Sequence, residues 1–325
     1  MNLKPIVVAA TLLAGACASA RSHAPSPDAP AMEPDDAPSA MLPAPSDEAV
    51  APGAGVNVPT EAEVAVAALR GDAQQAVEAA AVRFAGDLYG AMRGQSGNIN
   101  VSPWSAWVAL AMTTAGAEGG TRDAMERLLR VDGLHDPLAA VGALARMVAA
   151  DAGVGGVTWN EANRVYVDGA SSRDLNAAFV AEVERVFAAT IGHAPFQNDP
   201  DGSRRMINAW VSEQTRERIP DLLSPGTIQS DTRLVLVNAI YFLADWAEAF
   251  DAEQTRDEPF TLGSGDRVDV PMMRREGTMR AAQANGVWAV ALPYAGHRFE
   301  LVVLVPPADA KNYGSHFGNV VKAMA

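Results

Sequence analysis

Cysteine occurs once, at position 17, so neither an internal disulfide framework nor a multi-cysteine metal site can form. Lysine is nearly absent, with Lys4, Lys311 and Lys322 the only three, and basic side chains number 25 against 39 acidic ones, a net charge of −14. Such a surplus of acid argues against nucleic acid or an anionic membrane surface as a partner, because both are held mainly by Lys and Arg. Catalytic signatures are missing too. There is no G-x-S-x-G elbow, H-E-x-x-H, P-loop or G-x-G-x-x-G, and the histidines, His23, His135, His193, His297 and His316, fall at predicted loops or ends and never four apart on a helix. The chain is therefore expected to be no enzyme and to need no cofactor or metal.

What is present is 325 residues, 49% of them apolar, enough to bury a sizeable core. Residues 1–20 read as an export signal. Lys4 precedes an apolar stretch from Ile6 to Ala16 that is too short to span a bilayer. Two cleavage readings compete. Small residues before Cys17 match a bacterial lipoprotein signal, in which Cys17 would carry a diacylglyceryl anchor, whereas Ala18-Ser19-Ala20 offers an ordinary site that would release a soluble secreted protein. The lipoprotein reading accounts for the one cysteine and places the protein at the outer membrane or cell surface. Residues 21–70, rich in Ala, Pro, Ser and Asp, cannot bury enough surface to offset chain entropy and read as a disordered tether. Residues 71–325 form the folded body.

Within the body Val77, Ala81, Phe84, Leu88 and Met92 recur at helical spacing, predicting a helix over about 73–93. Ser102-Pro103 reads as the N-cap and first position of a buried helix running to Thr114. Further helical patterns cover about 122–130, 137–150, 174–188 and 200–217. The period then shortens. Residues 159–167 read as a strand, and 233–243 (RLVLVNAIYFL) as a strand covered on both faces. Residues 267–273, 278–284, 287–294 and 298–305 follow as strands, with turns at Asn285-Gly286 and 295–297. Helices first and an antiparallel meander later make the fold class α+β. Asn238, an amide inside the apolar run, must be hydrogen-bonded. Ser102 and Ser105 are its natural partners, and a strand end satisfied by backbone is the other reading.

These stretches resemble the serpins, a family of protease inhibitors. NINVSPWSAWVALAMTTAGAEGGTRDAMERLL (98–129) is similar to the helix B and helix C signature, EANRVYV (161–167) to strand 2A and MINAWVSEQTRERIPDLL (206–223) to helix F. VNAIYFLADWAEAFDAEQTRDEPF (237–260) resembles the strand 3A hallmark, and 269–306 the V-P-M-M segment with three sheet-B strands. By this resemblance Ser102, Ser105 and Asn238 stand at the shutter, the polar cluster beneath the place where sheet A opens; Trp246 stands at the breach; and Asn208 and Thr215 are helix F positions packing over sheet A. Leu243-Ala244-Asp245 departs from a usual Lys-Gly pair, Glu217 replaces a usual glycine, and Trp104 and Trp107 exceed the usual aliphatics.

The resemblance implies a serpin-like fold with sheets A, B and C, and suicide inhibition of a serine or cysteine protease, the target partner, by insertion of a cleaved loop into sheet A. The given sequence stops at Ala325, soon after Val305-Pro306, and holds neither the hinge nor a scissile bond; Glu118-Gly119-Gly120-Thr121 imitates the hinge but belongs to the helix C signature. No reactive centre is assigned. The chain alone is expected to be inactive, and residues 71–325 alone insoluble or molten, because apolar edges such as 234–242 lack neighbours. Two functions follow: a lipid-anchored protease inhibitor, or a non-inhibitory binding or structural lipoprotein that keeps the serpin body.

Overall fold

The computed structural model describes residues 6–14, as backbone, and 71–307 apart from 95–97, 154–155, 170–174, 263, 285 and 306. Cys17, both cleavage sites, the tether, Asn285 and residues 308–325 lie outside them.

In chain order the elements are β1 (Ile6–Ala14), α1 (Asp72–Met92), α2 (Pro103–Ala115), α3 (Gly119–Leu128), α4 (Pro137–Ala152), β2 (Thr158–Asp168), α5 (Ala177–Phe187), β3 (Thr190–Ala194), α6 (Pro200–Gln214), β4 (Leu234–Leu243), β5 (Arg256–Thr261), β6 (Arg267–Met272), β7 (Arg280–Ala284), β8 (Val287–Pro293) and β9 (Glu300–Val305). All six predicted helices form. Three of them begin with proline after a side-chain cap: Ser102 accepts from the Ser105 amide, Asp136 from Ala139 and Asp199 from Gly202. Strands β3 and β5 escape sequence reading, β3 because five residues carry too short a pattern and β5 because RDEPFT is polar and mostly exposed.

Three sheets result. The central one runs β1-β4-β2-β3, with β4 antiparallel to β2 and both outer pairs parallel; β5-β6 is a hairpin and β7-β8-β9 an antiparallel meander. Strand β4 is covered on both faces, as its unbroken apolar run requires. One face meets a core built on Val108, Met112, Leu138 and Val186 from α2, α4 and α5. The other carries Val235, Val237 and Ala239, which join Ile207 and Val211 of α6.

In the full chain the 234–242 edge of β4, expected to lack neighbours in residues 71–325 alone, is paired. Residues Ile6–Ala14, read from sequence as the apolar part of an export signal, lie parallel to β4 in register from Leu234 to Phe242. Nine extended residues, all but Thr11 apolar, satisfy the backbone groups of an edge that would otherwise stand unpaired. The register of β4 itself is fixed on its other side by β2, through pairs such as Asn163 with Asn238 and Val165 with Leu236.

Candidate functional site

Alternation along β4 puts Leu236, Asn238 and Ile240 on the face toward α2, and alternation along β2 puts Glu161, Asn163 and Val165 on that same face. Asn238 is fully buried at mid-strand. Its Nδ2 donates to Asn163 Oδ1 at 2.7 Å and to Glu161 Oε1 at 3.2 Å, and the Asn163 amide donates in turn to the Phe187 carbonyl at 3.1 Å. Trp104 of α2 reaches across and donates from Nε1 to Glu161 Oε2 at 3.3 Å. The partners expected for Asn238 were serine hydroxyls. Instead Ser102 turns to its own helix as N-cap, and Ser105 Oγ is buried without a partner among the described residues, as is Asn238 Oδ1. Sequence reading missed Glu161 and Asn163, although strand alternation from Val165 and Val167 already assigned both to the buried face.

Within this cluster Glu161 is the ionisable member. Its carboxyl is more enclosed than the residue as a whole, and burial holds it above the ordinary carboxylate range despite the donors pointing at it. The two oversized tryptophans fit because each finds a polar partner: Trp107 is buried and donates to the Leu129 carbonyl at 3.0 Å, tying α2 to the end of α3.

On the opposite face a second set of contacts joins α6 to the sheet. Arg164 of β2 lies over the Tyr166 ring at 5.0 Å and the Trp210 ring at 5.4 Å, and Asn160 donates to the Gln214 carbonyl at 2.7 Å. Burial pushes the Tyr166 phenol up, with Arg164 opposing it. The two residues expected to pack over the sheet from α6 do something more local. Asn208 exchanges two hydrogen bonds with the backbone of Leu223, and Thr215 donates to the Val211 carbonyl while accepting from the Ile219 amide. Both hold the connection that follows the helix; contact with the sheet falls to Ile207, Trp210 and Val211.

Beyond the end of β4, Trp246 stacks on Tyr294 with ring centroids 4.6 Å apart and meets Phe250 edge-on at 5.8 Å. Backbone bonds from Ala247 to the Pro293 carbonyl and from Ala295 to that of Asp245 lock the same junction. Tyr294 also packs on Phe242, and Trp159, Phe242 and Phe299 touch one another as a triangle of rings, so an aromatic layer fastens the end of the central sheet to the meander. Glu118 is the residue preceding α3, which assigns Glu118-Gly119-Gly120-Thr121 to a helix start. Among the described residues no group of three His, Cys, Asp or Glu could hold a metal ion.

A model of the family described as Serpin (serine protease inhibitor) matches residues 79–323. The chain belongs to the serpin family. It is 35% identical to the leukocyte elastase inhibitor of Bos taurus over 236 residues and 31% identical to that of Homo sapiens, in each case over 71% of this chain and 61% of the relative. The matched region thus spans about three fifths of these relatives. Emu ovalbumin shares the fold at TM-score 0.69 and 23% identity, over 77% of this chain and 68% of its own, and native protease nexin-1, in a structure with heparin, at 0.64 and 27% over 74% and 67%. The fold is the predicted α+β arrangement, and the relatives from Bos taurus and Homo sapiens are themselves named as inhibitors of leukocyte elastase.

Proposed function

We propose that the protein is a lipid-anchored protease inhibitor that acts through the opening of its central sheet. In this reading Ser102, Ser105 and Asn238 are the shutter, Trp246 marks the breach, and Asn208 and Thr215 hold the connection after α6, the helix that covers the sheet. The observation that carries it is the ordered match to leukocyte elastase inhibitors, together with a β4 strand whose edge accepts another strand. The target is a serine or cysteine protease. A reactive loop cleaved by that protease would enter the sheet as a new strand beside β4.

The test is incubation of the protein, purified from its native membrane, with serine and cysteine proteases. A covalent complex that survives denaturing electrophoresis supports inhibition; simple turnover of the protein as substrate supports the non-inhibitory lipoprotein instead. No hinge or scissile bond is assigned within the 325 residues, so trapping is expected only where a reactive loop accompanies them.

Export and anchoring belong to the same proposal. Cys17 is the acylated residue, at the outer membrane or cell surface, and the tether of 21–70 holds the body away from the bilayer. Metabolic labelling with a radiolabelled fatty acid should mark the wild type and not Cys17→Ser. Equal labelling of the two would remove the anchor from the proposal, and an N-terminus at Arg21 would establish the soluble alternative.

A further inference from the structure

Glu161 stands where three elements meet. Its own strand is β2; Trp104 Nε1 of α2 donates to its Oε2 at 3.3 Å, and Asn238 Nδ2 of β4 to its Oε1 at 3.2 Å. Among the described residues no cation balances it. Helix α2, PWSAWVALAMTTA, contains no titratable side chain, and β4 has only Tyr241, on the other face. Arg164, Tyr166 and Asp168 of β2 also alternate away from it. Trp159, two residues before it on the same face, stacks on Phe299, whose charged neighbours are engaged elsewhere, Arg298 with Asp151 and Glu300 with Arg280. The polar side chains that surround Glu161, Trp104, Asn163, Asn238 and Trp159, are all neutral.

A carboxylate enclosed with neutral donors alone keeps most of its desolvation cost, whereas a carboxylic acid does not. The acid form needs one acceptor for its proton. The Oδ1 of Asn238, the amide already bonded to Glu161, is buried and lacks a partner among the described residues, as does Ser105 Oγ of α2. We infer that Glu161 is a proton-controlled fastener of the central sheet: as the neutral acid it bridges α2, β2 and β4, and on losing its proton it weakens the β2–β4 seam. It is a positioning residue that acts through Asn238 and Trp104. The inference concerns the sheet itself and holds whether or not the protein traps a protease.

The sign follows from the direction of the shift. Glu161 in the folded protein titrates above its unfolded value. Its neutral form therefore contributes stability that is fully present below the unfolded pKa and is lost as pH rises through the folded one. Thermal melts of the full chain across that range should show the wild type falling with pH by more than Glu161→Gln, whose side chain cannot ionise, with the variant's melting temperature the higher at neutral pH. Hydrogen exchange at the β4 amides, corrected for intrinsic rates, should quicken with pH in the wild type only. Parallel profiles for the two proteins would overturn the inference. If Glu161→Gln fails to fold, the wild type labelled with carbon-13 glutamate decides by infrared spectroscopy. A carboxylic-acid carbonyl band that persists above the ordinary glutamate range upholds the inference, and its absence rejects it.

Discussion

At the scale of single residues, the buried polar cluster shows how one amide can organise a strand pair. Asn238 spends both protons of its Nδ2, on Asn163 and Glu161. Its replacement by alanine leaves two buried acceptors without donors, and each such loss costs about 1–3 kcal/mol. Asn238→Ala is expected to lower stability by roughly 2–4 kcal/mol in urea unfolding; a change under about 0.5 kcal/mol would mean that water replaces the amide. The departure at Glu217 has the opposite sign. Its φ is 61°, the left-handed region, and its amide donates to the Ser212 carbonyl at 2.7 Å as the chain leaves α6. Glycine occupies that region without the penalty of a Cβ, so Glu217→Gly is expected to stabilise by about 1 kcal/mol, measured as a rise in melting temperature. That the family's usual residue there is glycine was legible in the sequence; that the position is left-handed was not.

At the scale of elements, boundaries followed from capping. Each of Ser102-Pro103, Asp136-Pro137 and Asp199-Pro200 combines a side-chain acceptor with a residue that needs no amide partner, and each begins a helix. Packing between helices is less visible in one dimension. Gly142 of α4 faces the end of α5 so closely that a Cβ built on it would sit 2.3 Å from the Val186 carbonyl oxygen. The same carbonyl accepts from Arg146, one turn along α4, at 2.8 Å. Gly142→Ala must push the helices apart or break that bond, and overpacking of this kind costs about 1–3 kcal/mol. A melting temperature equal to wild type would show that α5 shifts freely. Strand β3 lies beyond pattern reading for a related reason: TIGHA is a strand because β2 offers it a parallel edge.

At the scale of the whole molecule, the central sheet divides the body into two cores, one under the helices α2, α4 and α5 and one under α6. In the uncleaved chain strand β1 closes its edge at β4. Residues 71–325 expressed alone lack that strand and would present β4 as an apolar template. They are expected to aggregate where the full chain does not, a difference that size-exclusion chromatography of both proteins measures; a monomeric 71–325 with protected β4 amides would count against it. The sequence by itself determined the six helices, the doubly covered strand and the need of Asn238 for partners, because capping and hydrophobic period are local properties written at fixed spacing; the family came from the resemblance of its ordered motifs. Only the tertiary structure decided who those partners are. Asn238 and Glu161 are 77 residues apart, and nothing short of strand register and the placement of α2 brings Trp104, Glu161 and Asn163 to one amide. The same holds at the sheet edge: an apolar stretch near the N-terminus reads as an export address in one dimension, and in the chain before cleavage it pairs with β4, whose row of backbone groups needs partners.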